Sequence, residues 1–159
     1  MEVITDPGEV LAFLRHTGYF QSLQGLVVEG WKAWPWSEKL LVDRYVAPGF
    51  CRGLAGPSGL RALSIVTAAG VTPRTMIRLV CLDAVDDESA GTMMDDVLAQ
   101  TRQAVLDAQS ARWEIEWMIP RVPRLHAWAA RGGLRTWEQE DDFLVYEMPL
   151  GALDAFKDR

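Results

Sequence analysis

The sequence is poor in the residues that usually build metal centres, redox pairs and disulfide frameworks. It contains two cysteines and two histidines in 159 residues. Cys51 and Cys81 have neither the spacing of a zinc knuckle nor that of a CxxC redox motif. We therefore expect no metal site. Two isolated thiols suit a reducing compartment, so we expect the chain to be cytoplasmic.

Long apolar runs and a cationic excess are also missing. No apolar stretch approaches the about 20 residues that a membrane-spanning helix needs. The N-terminus carries acids and no leading apolar run, so we expect that it is not a secretory signal. The formal net charge of -6 leaves no large cationic surface for a nucleic acid. We expect neither a membrane nor a nucleic acid as partner. The length suits one domain with its own core, which we place at residues 1–150, with a tail at 151–159.

The most informative stretch covers residues 75–119. It begins with an apolar, β-branched strand, continues through an acidic turn (DDESAG) and a helix (TMMDDVLAQTRQAVLDAQ), and ends with a second strand (RWEIEWMI). This change of period from strand to helix and back is typical of a βαβ unit. In such a unit the two strands are parallel, and the helical crossover between them is right-handed. The turn before the helix presents backbone N–H groups and the positive helix end, where an anion can bind.

The other elements are predicted from caps, breakers and apolar spacing. Asp6 and Pro7 are typical of a helix start, and Gly18 is typical of a helix end. Gly132 and Gly133 similarly close a helix near the C-terminus. The predicted strands are 1–5, 50–54, 60–68, 134–137 and 143–150, and the predicted helices are 7–17, 22–29, 37–45 and 124–131.

Three tryptophans crowd around Pro35. Trp31, Trp34 and Trp36 either form part of a binding pocket or pack helices onto the sheet, and packing is the commoner role of large aromatic residues. Trp34 is our candidate for contacting a substrate.

The order of elements and the closing segment GGLRTWEQEDDFLVYEMPL resemble the GNAT superfamily of N-acetyltransferases. Gly133 and Leu134 stand where that family usually has Gly–Phe, and FLVYEMPL is similar to its last strand. The resemblance implies an α/β fold: a mixed, twisted sheet with a central parallel βαβ unit and helices on both faces. It also implies acyl transfer from acetyl-CoA, or another acyl-CoA, to an amine of a small molecule or protein. Whether this chain is an enzyme, and whether it forms a homodimer, are left open.

In the family, an R/Q-x-x-G-x-G/A turn before the main helix holds the CoA diphosphate. Aligned on its last glycine, that turn is Asp86-Asp87-Glu88-Ser89-Ala90-Gly91 here. The lead residue has become Asp86, the first glycine has become Ser89, and the added acids repel a diphosphate. The resemblance implies the following cofactor-binding residues: Leu82, Asp83, Val85, Ser89, Ala90, Gly91 and Thr92.

Two carboxylates are candidates for the base that takes a proton from the amine. Asp83 lies near the end of the central strand and Glu116 on its neighbour. Asp83 is the better candidate, although a carboxylate that merely caps the turn is the commoner case. The family's tyrosine, which protonates the leaving thiolate, is replaced by Ala129. His126 lies beside Leu125 on the last helix and is interpreted as a surface or half-buried histidine instead of a catalyst, and the sequence identifies no partner for His16.

An acid-free stretch between Trp117 and Trp137 holds Arg121 and Arg124 beside a helix start. Arginine binds phosphates and carboxylates bidentately, so both are candidates for substrate binding, or else they pair with the neighbouring acids. An alternative function remains: a non-catalytic module of the same fold that binds a small molecule or a protein through its tryptophans or arginines.

Overall fold

The structure, a computed structural model, describes residues 1–19, 38–71, 74–107, 112–120, 123–131, 135–139 and 143–147. The elements in chain order are β1 (Glu2–Val3), α1 (Pro7–His16), α2 (Glu38–Leu41) running into a π-helical turn (Val42–Val46), β2 (Cys51–Gly56), β3 (Gly59–Val71), β4 (Arg74–Ala84), α3 (Asp87–Asp107), β5 (Arg112–Pro120), α4 (Pro123–Arg131), β6 (Arg135–Gln139) and β7 (Phe143–Glu147).

The strands form a mixed sheet, as the sequence predicts. Hydrogen bonding joins them in the order β1-β2-β3-β4-β5-β7-β6. The pairs β1/β2, β2/β3, β5/β7 and β6/β7 are antiparallel. The pair β4/β5 is parallel, from Arg74 opposite Arg112 to Leu79 opposite Trp117. The strands on either side of α3 therefore run in the same direction.

The chain divides into two compact units. Unit 1 comprises Met1–Ile65 and Cys81–Met93, and unit 2 comprises Val66–Val80 and Met94–Arg159. One domain over residues 1–150 stays a prediction. The apolar side chains that are fully buried in unit 1 include Val10, Leu14, Leu41, Leu63 and Ile65, and those in unit 2 include Ile77, Leu79, Val97 and Leu125.

The first helix begins and ends where its sequence signals predict. The carboxylate of Asp6 caps the helix by accepting a hydrogen bond from the Gly8 N–H at 2.9 Å, and Pro7 occupies the first turn. At the other end Thr17 N–H donates to the Phe13 carbonyl, and Gly18 has a φ of +76°. A residue without a Cβ tolerates this left-handed conformation, and the chain leaves the helix there.

Three sequence predictions need correction. The helix predicted through Tyr45 changes to a π-helical turn, closed by Ala47 N–H on the Val42 carbonyl at 2.9 Å. The strands around the hairpin are longer than predicted and meet at Gly56 and Gly59. Most importantly, α3 begins at Asp87, so the segment predicted as a phosphate-binding turn is helical.

The predicted helix at 22–29 and the three clustered tryptophans lie outside the described residues. Among the helices that are described, none is both long and apolar enough to cross a membrane.

Candidate functional site

The start of α3 is fixed by the Asp86 carboxylate. Its Oδ1 accepts a hydrogen bond from the Ser89 N–H at 2.8 Å, and the Asp86 carbonyl accepts from Ala90 N–H at 3.0 Å. This is an N-cap arrangement, and Asp87 and Glu88 add negative charge in the first turn, where it stabilises a helix. Together these residues move the helix start ahead of Gly91.

A guanidinium from β3 holds the same carboxylate. Arg61 donates through Nη2 to Asp86 Oδ2 and through Nε to the Ser89 Oγ at 3.1 Å. Its backbone carbonyl accepts a hydrogen bond from the Val85 N–H at 2.9 Å, which fixes β3 beside the end of β4. Arg61 therefore supplies a cation at the helix start where the GNAT motif has a basic or amide lead residue.

Sequence reasoning missed Arg61. No local signal marks it, because its role depends on pairing with a segment 25 residues later. Only the register of β3 beside the end of β4 would have identified it.

The Asp86 carboxyl stays ionised. Its pKa is held below its usual range first by the hydrogen bonds from the Ser89 backbone and side chain, and then by Arg61. The helix start thus already carries an anion that is internal to the chain.

Asp83 lies at the end of β4, and its side chain is 0% exposed. Its Oδ1 accepts a hydrogen bond from the Ala84 N–H at 2.9 Å. Cys81 precedes it on the same face of the strand. Burial, and then the negative charge of Asp83, raise the pKa of the Cys81 thiol, whereas a hydrogen bond with the Tyr19 side chain acts to lower it. Tyr19 is also buried, so unit 1 encloses a small polar cluster of Tyr19, Cys81 and Asp83.

The predicted cofactor-binding residues all belong to unit 1, in β4, the turn after it and the start of α3. Leu82, Ser89 and Ala90 are buried, as is Asp83, whereas Val85, Gly91 and Thr92 are exposed. Gly91 has a helical backbone without a positive φ, and a Cβ there would meet no other atom within 4 Å. Gly91 is therefore not needed for close backbone approach in the observed conformation.

The other predicted site residues belong to unit 2 or lie outside the described residues. Glu116 lies on β5 in register with Arg78 of β4 and with Glu147 of β7. Arg124 lies in the first turn of α4. Arg121 and Trp34 fall outside the described residues. The roles assigned to these four residues stay predictions.

The groups at the start of α3 suit a phosphate in their chemistry. A guanidinium, a serine hydroxyl and a helix N-terminus are donors that phosphates bind. In the structure these donors hold Asp86 instead, so a diphosphate has to compete with that carboxylate. The residues therefore fit the coenzyme only if a phosphate replaces the Asp86 carboxylate on these donors. Among the described residues there is no cluster of three or more side chains that would bind a metal ion.

No protein-family model and no curated protein sequence matches this chain. Solved structures do. A PaiA N-acetyltransferase from Thermoplasma acidophilum in complex with coenzyme A is 11% identical, with a TM-score of 0.57, over 93% of this chain and 96% of that one. Arabidopsis thaliana NAA60 in complex with acetyl-CoA is 7% identical, with a TM-score of 0.52, over 92% and 95%. A GNAT-family acetyltransferase from Listeria monocytogenes is 11% identical, with a TM-score of 0.50, over 91% and 85%.

Proposed function

We propose that this chain, which has a GNAT-like fold, transfers an acyl group from an acyl-CoA to an amine. The observation that carries the proposal is the order of groups within unit 1. A buried carboxylate, Asp83, ends β4, and the cationic group of Arg61 lies at the start of the helix that follows. The first can accept a proton from an amine and the second can bind phosphate.

On the donor side, Arg61 and the hydroxyl of Ser89 would bind the diphosphate. When bound, acyl-CoA supplies the thioester, whose C–S bond breaks as the amine nitrogen forms a C–N bond. The N–H groups of β4 alternate in direction, and Val85 N–H points to Arg61 of β3. Leu82 N–H therefore points to the opposite edge of β4, and the register with β5 ends at Leu79. The Leu82 N–H would polarise the thioester carbonyl at this edge.

On the acceptor side, Asp83 would take the proton that the amine loses. Asp83 is buried, so little water competes with its carboxylate for an ammonium group. The electrostatic attraction between the two charged groups is stronger in this low-dielectric environment. Tyr19, which hydrogen-bonds Cys81, belongs to the same polar cluster as Asp83.

Thermal unfolding with and without acetyl-CoA tests donor binding. A ligand at a hundred times its dissociation constant adds about 2.7 kcal/mol to the free energy of unfolding. For a chain of this length we expect the midpoint to rise by roughly 5–10 °C. Sodium sulfate at the same ionic strength is the control for non-specific anion effects. An unchanged midpoint at millimolar acetyl-CoA would contradict the proposal.

Asp83→Asn tests the role of the carboxylate. Asparagine keeps an oxygen for the Ala84 N–H but cannot act as a base, so we expect kcat/KM to fall roughly 10²–10⁴-fold with an unchanged acetyl-CoA midpoint shift. The assay is release of CoA in the presence of a panel of amines. Asp43→Asn, at an exposed carboxylate paired with Lys39, is the matched control. Wild-type activity in Asp83→Asn would remove Asp83 from the mechanism.

A second candidate is a non-catalytic binding module with the same fold. The Asp86 carboxylate favours it, because it already occupies the Ser89 N–H and the Arg61 guanidinium. A protein that shows no donor binding in the thermal experiment would fit this function instead.

A further inference from the structure

We propose that Asp86 is an internal competitor of the acyl donor, and that binding the donor's diphosphate requires Arg61 to exchange Asp86 for a phosphate. This rests on the proposed function and adds a means by which the same site selects its ligand. A ligand would have to offer more than the single carboxylate that it displaces.

The geometry of Arg61 supports an exchange instead of a permanent structural pair. The side chains of Arg61 and Asp86 are 43% and 42% exposed, so a ligand can reach the pair from solvent without unfolding of the sheet. A guanidinium presents five N–H donors in a planar fork that matches carboxylate and phosphate alike. A phosphate can therefore replace the carboxylate on the same donors.

The two carboxylate oxygens of Asp86 make different contacts, which also supports an exchange. Oδ1 caps the helix through Ser89 N–H, whereas Oδ2 receives Arg61. Loss of the ion pair leaves the Oδ1 cap on the Ser89 N–H intact, so the exchange preserves the helix start. The N-cap of α1 provides the comparison. Asp6 also caps its helix with a carboxylate oxygen, which accepts from the Gly8 N–H two residues later, and within the described residues it takes part in no ion pair.

The charge at the helix start explains why exchange favours a diphosphate. After exchange, Asp86 remains next to the incoming anion and repels it, as do Asp87 and Glu88 in the first turn. A single carboxylate would gain little from replacing an equal charge. An anion with two phosphates can bind the guanidinium of Arg61 and the Ser89 hydroxyl at the same time.

The test compares Asp86→Asn and Arg61→Gln with the wild type. Asparagine is as good an N-cap as aspartate, so Asp86→Asn keeps the helix start while removing the competing charge. We expect CoA to bind roughly 3–10-fold more tightly to Asp86→Asn and at least about tenfold more weakly to Arg61→Gln. Asp6→Asn, the matched change at the other cap, should leave CoA affinity unchanged.

The measurement is isothermal titration calorimetry at constant ionic strength, with CoA and, separately, with inorganic pyrophosphate. Tighter binding of both probes by Asp86→Asn and weaker binding by Arg61→Gln would support the exchange. Pyrophosphate binding that increases in Asp86→Asn, with no CoA binding by any variant, would support the exchange and overturn the proposed function. Equal CoA affinity in all variants would overturn the exchange and the role of Arg61 in diphosphate binding, and would leave only acyl-CoA binding itself standing. No binding of either probe by any variant would overturn both.

Discussion

Both cysteines are buried thiols, and their ionisation is suppressed. Burial, followed by the charge of Glu9, raises the pKa of Cys51 to about 12. Burial raises the pKa of Cys81 as well, and the neighbouring Asp83 adds to the effect. The thiolate is the nucleophilic form of cysteine, so neither residue is suited to covalent acyl transfer. The polar cluster around Asp83 therefore holds a carboxylate and a thiol that stays protonated.

The Cys51 pKa predicts a loss of stability at alkaline pH. In the unfolded chain the thiol ionises near pH 8.5, but in the folded chain it stays protonated to about pH 12. The folded state thus binds more protons between these values, and the free energy of unfolding falls as pH rises. The contribution of this thiol is fully present below the unfolded pKa and falls by about 1.4 kcal/mol per pH unit above it.

Urea unfolding at pH 8, 9 and 10 measures that slope. Cys51→Ala is the control, since it removes the titrating thiol. We expect the decrease in the free energy of unfolding per pH unit to be smaller in this variant by about 1.4 kcal/mol. An identical slope in the wild type and in Cys51→Ala would mean that Cys51 does not couple to folding.

At the residue scale, the sequence predicts the groups that act locally. The Asp6 cap follows from its neighbours, and the end of β4 at Ala84 follows from the acidic turn after it. Arg61 was not predictable, because an arginine in a hairpin strand is ordinary until strand pairing brings it to Asp86. The burial of Asp83 depends in the same way on distant packing.

At the scale of elements, the start of α3 shows how two local signals compete. The GNAT alignment places a turn up to Gly91, whereas Asp86 followed by acids and an N–H at Ser89 is a strong helix start. The cap determined the structure. The same cap reasoning that locates α1 at Asp6 would have located α3 at Asp86, so this correction was available from the sequence.

The helical conformation of Gly91 predicts that alanine is stabilising there. Gly91 is exposed, has no positive φ, and a Cβ would meet no other atom within 4 Å. Glycine in a helix interior costs about 0.5–1 kcal/mol relative to alanine. We expect Gly91→Ala to raise the unfolding midpoint by roughly 1–4 °C, as measured by circular dichroism.

Gly59 provides the contrasting control for Gly91. Its Cβ would also meet nothing, but its φ is +121°, a conformation that side chains rarely adopt. We expect Gly59→Ala to lower the midpoint, since the hairpin between β2 and β3 turns there. A midpoint lowered by Gly91→Ala as well would show that residue 91 leaves the helical conformation in solution.

At the scale of the whole molecule, the order of elements was largely predictable from the sequence and the order of strands in the sheet was not. Alternating apolar runs and breakers locate β5, β6 and β7 in the chain. The insertion of β7 between β5 and β6 follows from hydrogen bonding between distant segments.

The two compact units are predicted to unfold together. β3, β4 and α3 each begin in one unit and end in the other. Unfolding of either unit therefore removes part of a strand ladder or helix that the other contains, which couples their stabilities. We expect one calorimetric transition, with equal calorimetric and van't Hoff enthalpies. For 159 residues that enthalpy is about 110 kcal/mol near 60 °C. Two resolved transitions, or a van't Hoff enthalpy near half the calorimetric value, would show that each unit folds on its own in spite of the shared elements.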